Sequence, residues 1–265
     1  KFPKYYFRDG YDMWTPVAAG DVVCCADTFN GVFVVDVKNP RAPRTIAHYP
    51  ELVGGVAVVD DFIYAACPKA GLKVLAAPSL VRSDKHERGT PISSPPAPRE
   101  SPEDHRVYRP GGQVWSVDFC GEHALVAAGM KGLRFVELWP EIREVSHIET
   151  QGFAVHACVV GDRVYVSENT GGLSIWEHTG EGRLQLLGRY RPATGQAVRR
   201  TMVYAHGEYA VVQVGNTFGV LDVSDPRQPQ QVAEHKVKII YGDQMSHGDL
   251  DGRYACVWGH VTGIR

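Results

Sequence analysis

The sequence predicts an all-β fold, a β-propeller of four-stranded blades, as a single domain over residues 1–265. Three observations lead there. The first is an internal repeat: GVFVVDVKNPRAP at residues 31–43 returns as TFGVLDVSDPRQP at 217–229, in register at Asp36 and Asp222, 186 positions apart. The second is a layout in which a turn residue is followed about eleven positions later by a small residue that opens an apolar strand. It recurs at Gly20/Gly31, Asp60/Gly71, Gly121/Gly132, Gly161/Gly172, Gly207/Thr217 and Gly252/Gly263. The second members are spaced by 40, 61, 40, 45 and 46 residues, and all but one interval lie near the period of roughly 40–45 residues of a propeller blade. The third is that strands such as DVVCCAD and GVFVVDV are almost wholly apolar, as strands buried on both faces between neighbouring blades must be.

Taken in order, residues 1–10 read as the outer strand of a blade and the descent to the next, much like LLGRYRPATG at 186–195. They are expected to complete the last blade, the ring closure that removes open sheet edges. Blade one follows over residues 11–49, with Asp36 expected to cap the Asn39-Pro40 turn through its carboxylate and Pro40 presetting the backbone. Blade two holds GGVAVV, FIYAAC and GLKVLAA, then breaks into a loop insertion over 78–108 whose proline, serine and charge carry no periodicity. That insertion explains the interval of 61 and falls between the third and fourth strands, on the bottom outer rim. Blade three reads VWSVDF, HALVAAG, LRFVEL; blade four reads FAVHACVV, RVYVSE, LSIWEH; blade five reads RRTMVYA, EYAVVQV, FGVLDVSDP. Blade six supplies QMSHGDL and RYACVWGH and reaches Gly263-Ile264-Arg265 where a third strand begins. Six blades are visible; a seventh would lie beyond Arg265, and a longer propeller is the favoured expectation.

With 28 Lys and Arg against 30 Asp and Glu the net charge is -2, so no global basic field advertises nucleic acid. No run of about 18 apolar residues exists to span a bilayer. A chain opening at Lys1 matches a processed, exported protein, and a secreted, periplasmic or cell-surface location is expected. The six cysteines form no CxxC pair and sit in apolar strands, as buried small hydrophobes do, which supports neither a zinc site nor a disulfide framework. Cys24 and Cys256 share a repeat position, so a contact between them across neighbouring blades is the one pairing to look for. No P-loop, dinucleotide fingerprint, nucleophile elbow or HExxH is present. No cofactor is predicted, and a structural metal ion is left open.

Chemistry is expected where the first strand of each blade lines the central channel and enters from the top face. Counting five back from each turn residue gives a ring of Thr15, Gly55, Ser116, His156, Met202 and His247, with two histidines at one repeat position. Nearer the mouth stand Gln113, Phe153, Arg199 and Gln244, with Arg200 beside them, and the aromatic or top-turn residues Trp14, Trp115, Tyr241 and His260. Arginine forks pair carboxylates, histidine moves protons near neutrality, and aromatic rings offer apolar faces; together these suit an anionic sugar. The candidate catalytic residues are His156, His247, Arg199, Arg200 and Tyr241; the candidate substrate-binding residues are Gln113, Trp115, Gln244, Trp14 and His260. The same residues also read as hydrogen-bonded structural histidines and a solvated strand entrance.

A glycine, a hydrophobic strand and then Asp-Val-x-Asn/Asp-Pro-x-x-Pro resembles the LVIVD-type repeat of β-propellers. The match is sharp at Gly31, Asp36, Val37, Asn39, Pro40 and Pro43 and at Asp222, Val223, Asp225, Pro226 and Pro229. Blades two, three and four keep only Gly71-Leu72, Gly132-Leu133 and Gly172-Leu173. The resemblance implies the propeller fold over nearly the whole chain. A looser resemblance to propeller polysaccharide lyases of the ulvan type and related rhamnosidases implies an exported, bacterial-type protein that cleaves an acidic polysaccharide by β-elimination at a uronic acid. His156 or His247 would then be the base, Arg199 or Arg200 would neutralise the carboxylate, and Tyr241 would protonate the leaving group. The lyases' own pattern does not align residue by residue, so no catalytic residue is carried over from it. The competing readings are a non-catalytic interaction propeller outside the cell and an α-L-rhamnosidase-type glycoside hydrolase.

Overall fold

A computed structural model describes residues 14–27, 30–59, 62–76, 106–169, 172–192, 201–214, 217–236, 245–251, 254–259 and 263–264. Blade one is β1 (Trp14–Ala19), β2 (Val22–Asp27), β3 (Gly31–Asp36) and β4 (Arg44–Tyr49). Blade two is β5 (Gly55–Val59), β6 (Phe62–Cys67), β7 (Gly71–Ala76) and β8 (Arg106–Tyr108), and blade three is β9 (Ser116–Cys120), β10 (His123–Ala127), β11 (Leu133–Glu137) and β12 (Arg143–Ile148). Blade four is β13 (Ala154–Val160), β14 (Arg163–Glu168), β15 (Gly172–His178) and β16 (Leu184–Tyr190), and blade five is β17 (Thr201–His206), β18 (Tyr209–Val214), β19 (Thr217–Asp222) and β20 (Gln230–Lys236). The last sheet holds β21 (Met245–Asp251), β22 (Tyr254–Gly259) and the two-residue β23 (Gly263–Ile264). Among the described residues there are thus five complete antiparallel blades and a sixth, three-stranded sheet, each paired in chain order. The inner strands follow one another round the ring, and β21 has both β17 and β1 beside it. The strand expected from residues 1–10 lies outside the described residues.

Apolar sequence on both faces of a strand is used between blades. One core gathers Tyr64, Leu72 and Val74 of blade two against Val117, Phe119, Val126 and Val136 of blade three. A second joins blades one and two through Cys24, Val34, Val56 and Ile63, and a third joins blades three and four through Leu125, Phe135, Val164 and Trp176. All six residues of β6 are buried, as its unbroken apolar sequence requires. In each of the five-blade set's pairings of third with fourth strand that spans the bulge position, at Val34/Val35, Phe135/Val136, Ile175/Trp176 and Val220/Leu221, the register shifts by one. Such bulges twist the outer edge away from further pairing.

One expectation changes. The insertion placed over 78–108 yields its last residues, Arg106–Tyr108, to β8, while 77–105 lie outside the described residues. The reason is burial: Tyr108 joins the core between blades two and three, and the Arg106 guanidinium lies 3.9 Å over the Trp139 ring and donates to the Pro140 carbonyl at 2.7 Å. The cysteines behave as small hydrophobes. Cys24, Cys67 and Cys120 are buried and free, and burial pushes each thiol up to about 12, far from a reactive thiolate. The side chain of Cys256 lies outside the description, and so does the proposed contact with Cys24.

The repeated motif builds the turn between third and fourth strands. Asp36 Oδ1 accepts from the Lys38 N–H at 3.0 Å, and Asn39 Oδ1 accepts from the Arg41 N–H at 3.1 Å. In blade five Asp222 Oδ1 accepts from the Ser224 N–H at 2.9 Å, and Asp225 Oδ1 from the Arg227 N–H at 3.0 Å. The cap expected of Asp36 is present in both copies, and the short polar side chain replaces backbone partners that a proline-bearing turn lacks.

Candidate functional site

The inner strands carry polar side chains that an apolar propeller core would not tolerate without partners. Their partners sit in the next blade. Ser116 Oγ of β9 accepts from the Ala157 N–H of β13 at 3.0 Å, and Asp118 Oδ2 accepts from the Val159 N–H at 2.8 Å. The other carboxylate oxygen of Asp118 takes the N–H of Phe119 at 2.8 Å. One blade further on, His156 of β13 hydrogen-bonds the backbone of Val203 in β17, and its ring stands 5.4 Å from that of Tyr204. Each inner strand has a free edge with backbone groups to satisfy, and these side chains stitch that edge to its neighbour.

Desolvation dominates the electrostatics of this seam. Burial holds the His156 imidazole down to about 4, against the opposing effect of its bond to Val203. Its Nδ1 is shielded from solvent and has no hydrogen-bond partner among the described residues. Burial raises the Asp118 carboxyl to about 6, although two backbone N–H groups pull it down. A group desolvated on this scale is a stability element at least as readily as a catalyst.

Blade four holds a second polar centre. Glu168, at the end of β14, is fully buried; Oε1 accepts from Ser174 Oγ at 2.6 Å and from Arg189 Nη1 at 3.1 Å, and Oε2 from the Gly152 N–H at 2.7 Å. Trp176 Nε1 then donates to Ser174 Oγ at 2.8 Å. The carboxylate thereby ties three strands of one blade to the loop that enters it.

The top rim, where strands two and three turn and where successive blades connect, is built differently. The turn between β10 and β11 presents Met130 to solvent at 79% exposure. Beneath it Gly129, at φ 62°, exchanges two 3.1 Å backbone hydrogen bonds with Ala154 of the next blade. A Cβ on Gly129 would come within 2.7 Å of the Phe153 ring, so this turn needs glycine for both its φ and its contact. Phe153 in turn meets Trp115 edge-on with ring centres 6.3 Å apart.

Of the residues expected at the site, Gln113 is exposed and Trp115 half-buried, both on the loop before β9, so these two do share the top of blade three. His156 belongs to the seam between blades four and five. Trp14 opens β1 and His247 lies within β21, but nothing is described of their side chains. Arg199, Arg200, Tyr241, Gln244 and His260 lie outside the described residues. Met202, placed in the ring by its spacing, is buried, as is Ser116. Sequence reasoning passed over Asp118, Glu168 and Met130. The available signals were a charge inside the apolar run SVDFC, an acid ending RVYVSE, and an apolar residue one step from a glycine in a turn. Among the described residues no group of three or more His, Cys, Asp and Glu is placed to hold a metal ion, and no helix is long and apolar enough to cross a membrane.

Blades of four antiparallel strands around a ring of inner strands define a β-propeller. Within that class the chain carries the LVIVD repeat, whose family model matches residues 17–50 and 201–235. No curated protein matches in sequence. Among solved structures the chain is similar to the β-propeller domain of Myceliophteria thermophila Cps50 (Swd1), with 12% identity and a TM-score of 0.65 over 93% of this chain and 79% of that one. It is also similar to the WD40 repeats of RRP9, with 12% identity and a TM-score of 0.59 over 90% and 69%. BamB from Moraxella catarrhalis matches with 12% identity and a TM-score of 0.54 over 94% and 67%. At this identity the likeness is one of fold.

Proposed function

We propose that this chain is a non-catalytic interaction propeller that binds a partner through its top face. The observation that carries this reading is the use made of the inner-strand ring. Ser116, Asp118 and His156 are committed to hydrogen bonds between neighbouring blades, and the His156 Nδ1 is sealed from solvent. A general base must come within about 3 Å of the proton it removes, directly or through one water. His156 is half-buried, and its Nδ1 faces away from solvent rather than toward a bound sugar. The groups solvent does meet at the top are of the kind that bind: an exposed methionine on a braced turn and long cationic side chains.

The lyase reading would draw on His247, Arg199, Arg200 and Tyr241, and one assay separates the two. Incubating the protein with a panel of acidic polysaccharides, while following unsaturated-uronate absorbance and reducing ends, is expected to give no signal in either channel. A rise that His247→Ala or Arg199→Ala abolishes would overturn the interaction reading and establish the lyase.

A further inference from the structure

We infer that the outer face of blade five, a surface separate from the top face, docks the turn Asn39-Pro40-Arg41 of a second copy of this chain, so that copies associate head to tail.

Three consecutive seams show what covers the outer face of a blade. The outer-strand residues Arg106, Ser146 and Gly188 hold one register position in blades two, three and four, opposite Val74, Phe135 and Ile175. Each meets the turn between the third and fourth strands of the next blade. Arg106 donates to the Leu138 and Pro140 carbonyls at 3.3 and 2.7 Å. Ser146 Oγ donates to the Gly182 carbonyl. Gly188 lies so close to the blade-five turn that a Cβ on it would collide with the Pro226 carbonyl oxygen and come within 3.0 Å of Arg227 Cα.

In blade five the same position is Ala233, opposite Val220. Among the described residues no turn lies over it, and all seven residues of β20 are exposed. The residue beside it, Val232, takes the bulge, as Val145 and Leu187 do in blades three and four. Next to a covering turn Val145 and Leu187 are half-buried, whereas Val232 is 56% exposed. Blade five thus presents the receiving half of a contact that three other blades complete.

The seam between blades four and five names the other half. Its turn, Asp225-Pro226-Arg227, is repeated in blade one as Asn39-Pro40-Arg41. Beyond their matching side-chain caps, the Asn39 carbonyl accepts from the Ala42 N–H at 2.9 Å and the Asp225 carbonyl from the Gln228 N–H at 3.0 Å, so the two turns share one shape. Pro226 is buried, but Pro40 is exposed, together with Asn39 and Arg41. A turn already fixed by its own bonds, with a proline at its centre, loses little conformational entropy on docking. Arg41 also brings a cation to the strand that carries Glu234, whose partner Lys236 stands 3.7 Å away. Ala233 has a Cβ where Gly188 has none, so the incoming turn seats a methyl's width further out, with Val232 beside it. Within one copy the two halves do not meet, because the sheet of β21, β22 and β23 stands between blades five and one. The contact is therefore heterologous and propagates from copy to copy unless its rotation closes a ring.

The test is sedimentation velocity of the intact protein, of Val232→Glu, of Arg41→Glu and of an equimolar mixture of the two variants. The concentration series reaches about 0.5 mM, because one turn on one strand is a small and hence weak interface. The parent is expected to grow in mean mass with concentration. Each variant alone is expected to associate at least about tenfold more weakly, with thermal midpoints unchanged because both side chains are exposed. The mixture decides the geometry. Val232→Glu keeps the turn and Arg41→Glu keeps the receiving face, so together they are expected to form a one-to-one dimer and nothing larger. A parent that stays monomeric, association that either variant leaves intact, or a mixture that forms no dimer would overturn the proposal. So would a monomer whose β20 amides resist hydrogen exchange, since its own chain would then cover Ala233.

Discussion

The two blades that carry the LVIVD motif and two of the blades that have lost it, three and four, hold the propeller together in different ways. In blades one and five the motif's polar residues act locally: Asp36 and Asp222 accept from N–H groups two positions on, in an exposed turn, and Asp36 also takes two hydrogen bonds from Arg44 at 3.0 and 2.9 Å. In blades three and four the polar residues reach outward or inward instead. Ser116 and Asp118 bond the next blade, and Glu168 joins three strands and a loop in a buried site. The motif that identifies the repeat is therefore turn chemistry. The side-chain hydrogen bonds that join neighbouring inner strands come from residues outside it, although Val223 of the motif is buried in the core between blades four and five.

Breaking that contrast should cost most at Glu168. Glu168→Ala leaves Arg189, Ser174 and the Gly152 N–H without their shared acceptor, and a loss of about 3–5 kcal/mol is expected from denaturant unfolding. Glu168→Gln should cost less because one acceptor oxygen survives. Next come the glycines that both kinds of blade share. Gly31 and Gly132 have φ of 100° and 69°, and a Cβ on either would collide with the carbonyl of the neighbouring outer strand, Tyr49 or Ile148. Gly31→Ala and Gly132→Ala should each cost about 2 kcal/mol or more, read as thermal midpoints. If they cost the same, the turns of the two blade types are equally demanding and the contrast lies in the polar residues alone. The smallest effect is expected at the motif: Asp36→Ala and Asp222→Ala should lower the midpoint slightly and by similar amounts. Hydrogen bonds from Lys38 and then Arg44 hold the Asp36 carboxyl below its ordinary range, and bonds from Ser224 do so for Asp222. The small contribution of each is present above pH 3.8 and fades as pH falls through the lowered value, so the two variants should converge with the parent in acid.

How much of this could be read from residues alone follows the same division. Turn chemistry is local, so Gly31, Asp36, Asn39 and Pro40 announce a blade and the spacing of their copies announces the ring. The seam is not local. Asp118 meets Val159 41 positions away, and within SVDFC it looks like any polar residue in an alternating strand. His156 stood at the right repeat position to face the channel, but repeat position does not reveal which way a side chain turns or whether it is desolvated there. Met130 needed its turn to be seen braced against Ala154 before its exposure meant anything.

The central claim, that the inner-strand polar groups are a structural seam, has a pH signature of its own. His156 falls from an ordinary 6.5 to about 4 in the fold, so its stabilising contribution is complete above pH 6.5 and is lost as pH falls toward 4. Asp118 rises from 3.8 to about 6, so its contribution is complete below pH 3.8 and is lost as pH climbs through 6. Each is worth about 3 kcal/mol at most, with opposite signs over the same window. The most direct measurement is equilibrium unfolding of the parent protein, Asp118→Asn and His156→Asn at about pH 4.5 and about pH 7.5. Relative to the parent, Asp118→Asn should lose stability on acidification and His156→Asn should gain it. Parallel profiles in all three proteins would contradict the seam and return His156 to the list of groups open to solvent and substrate.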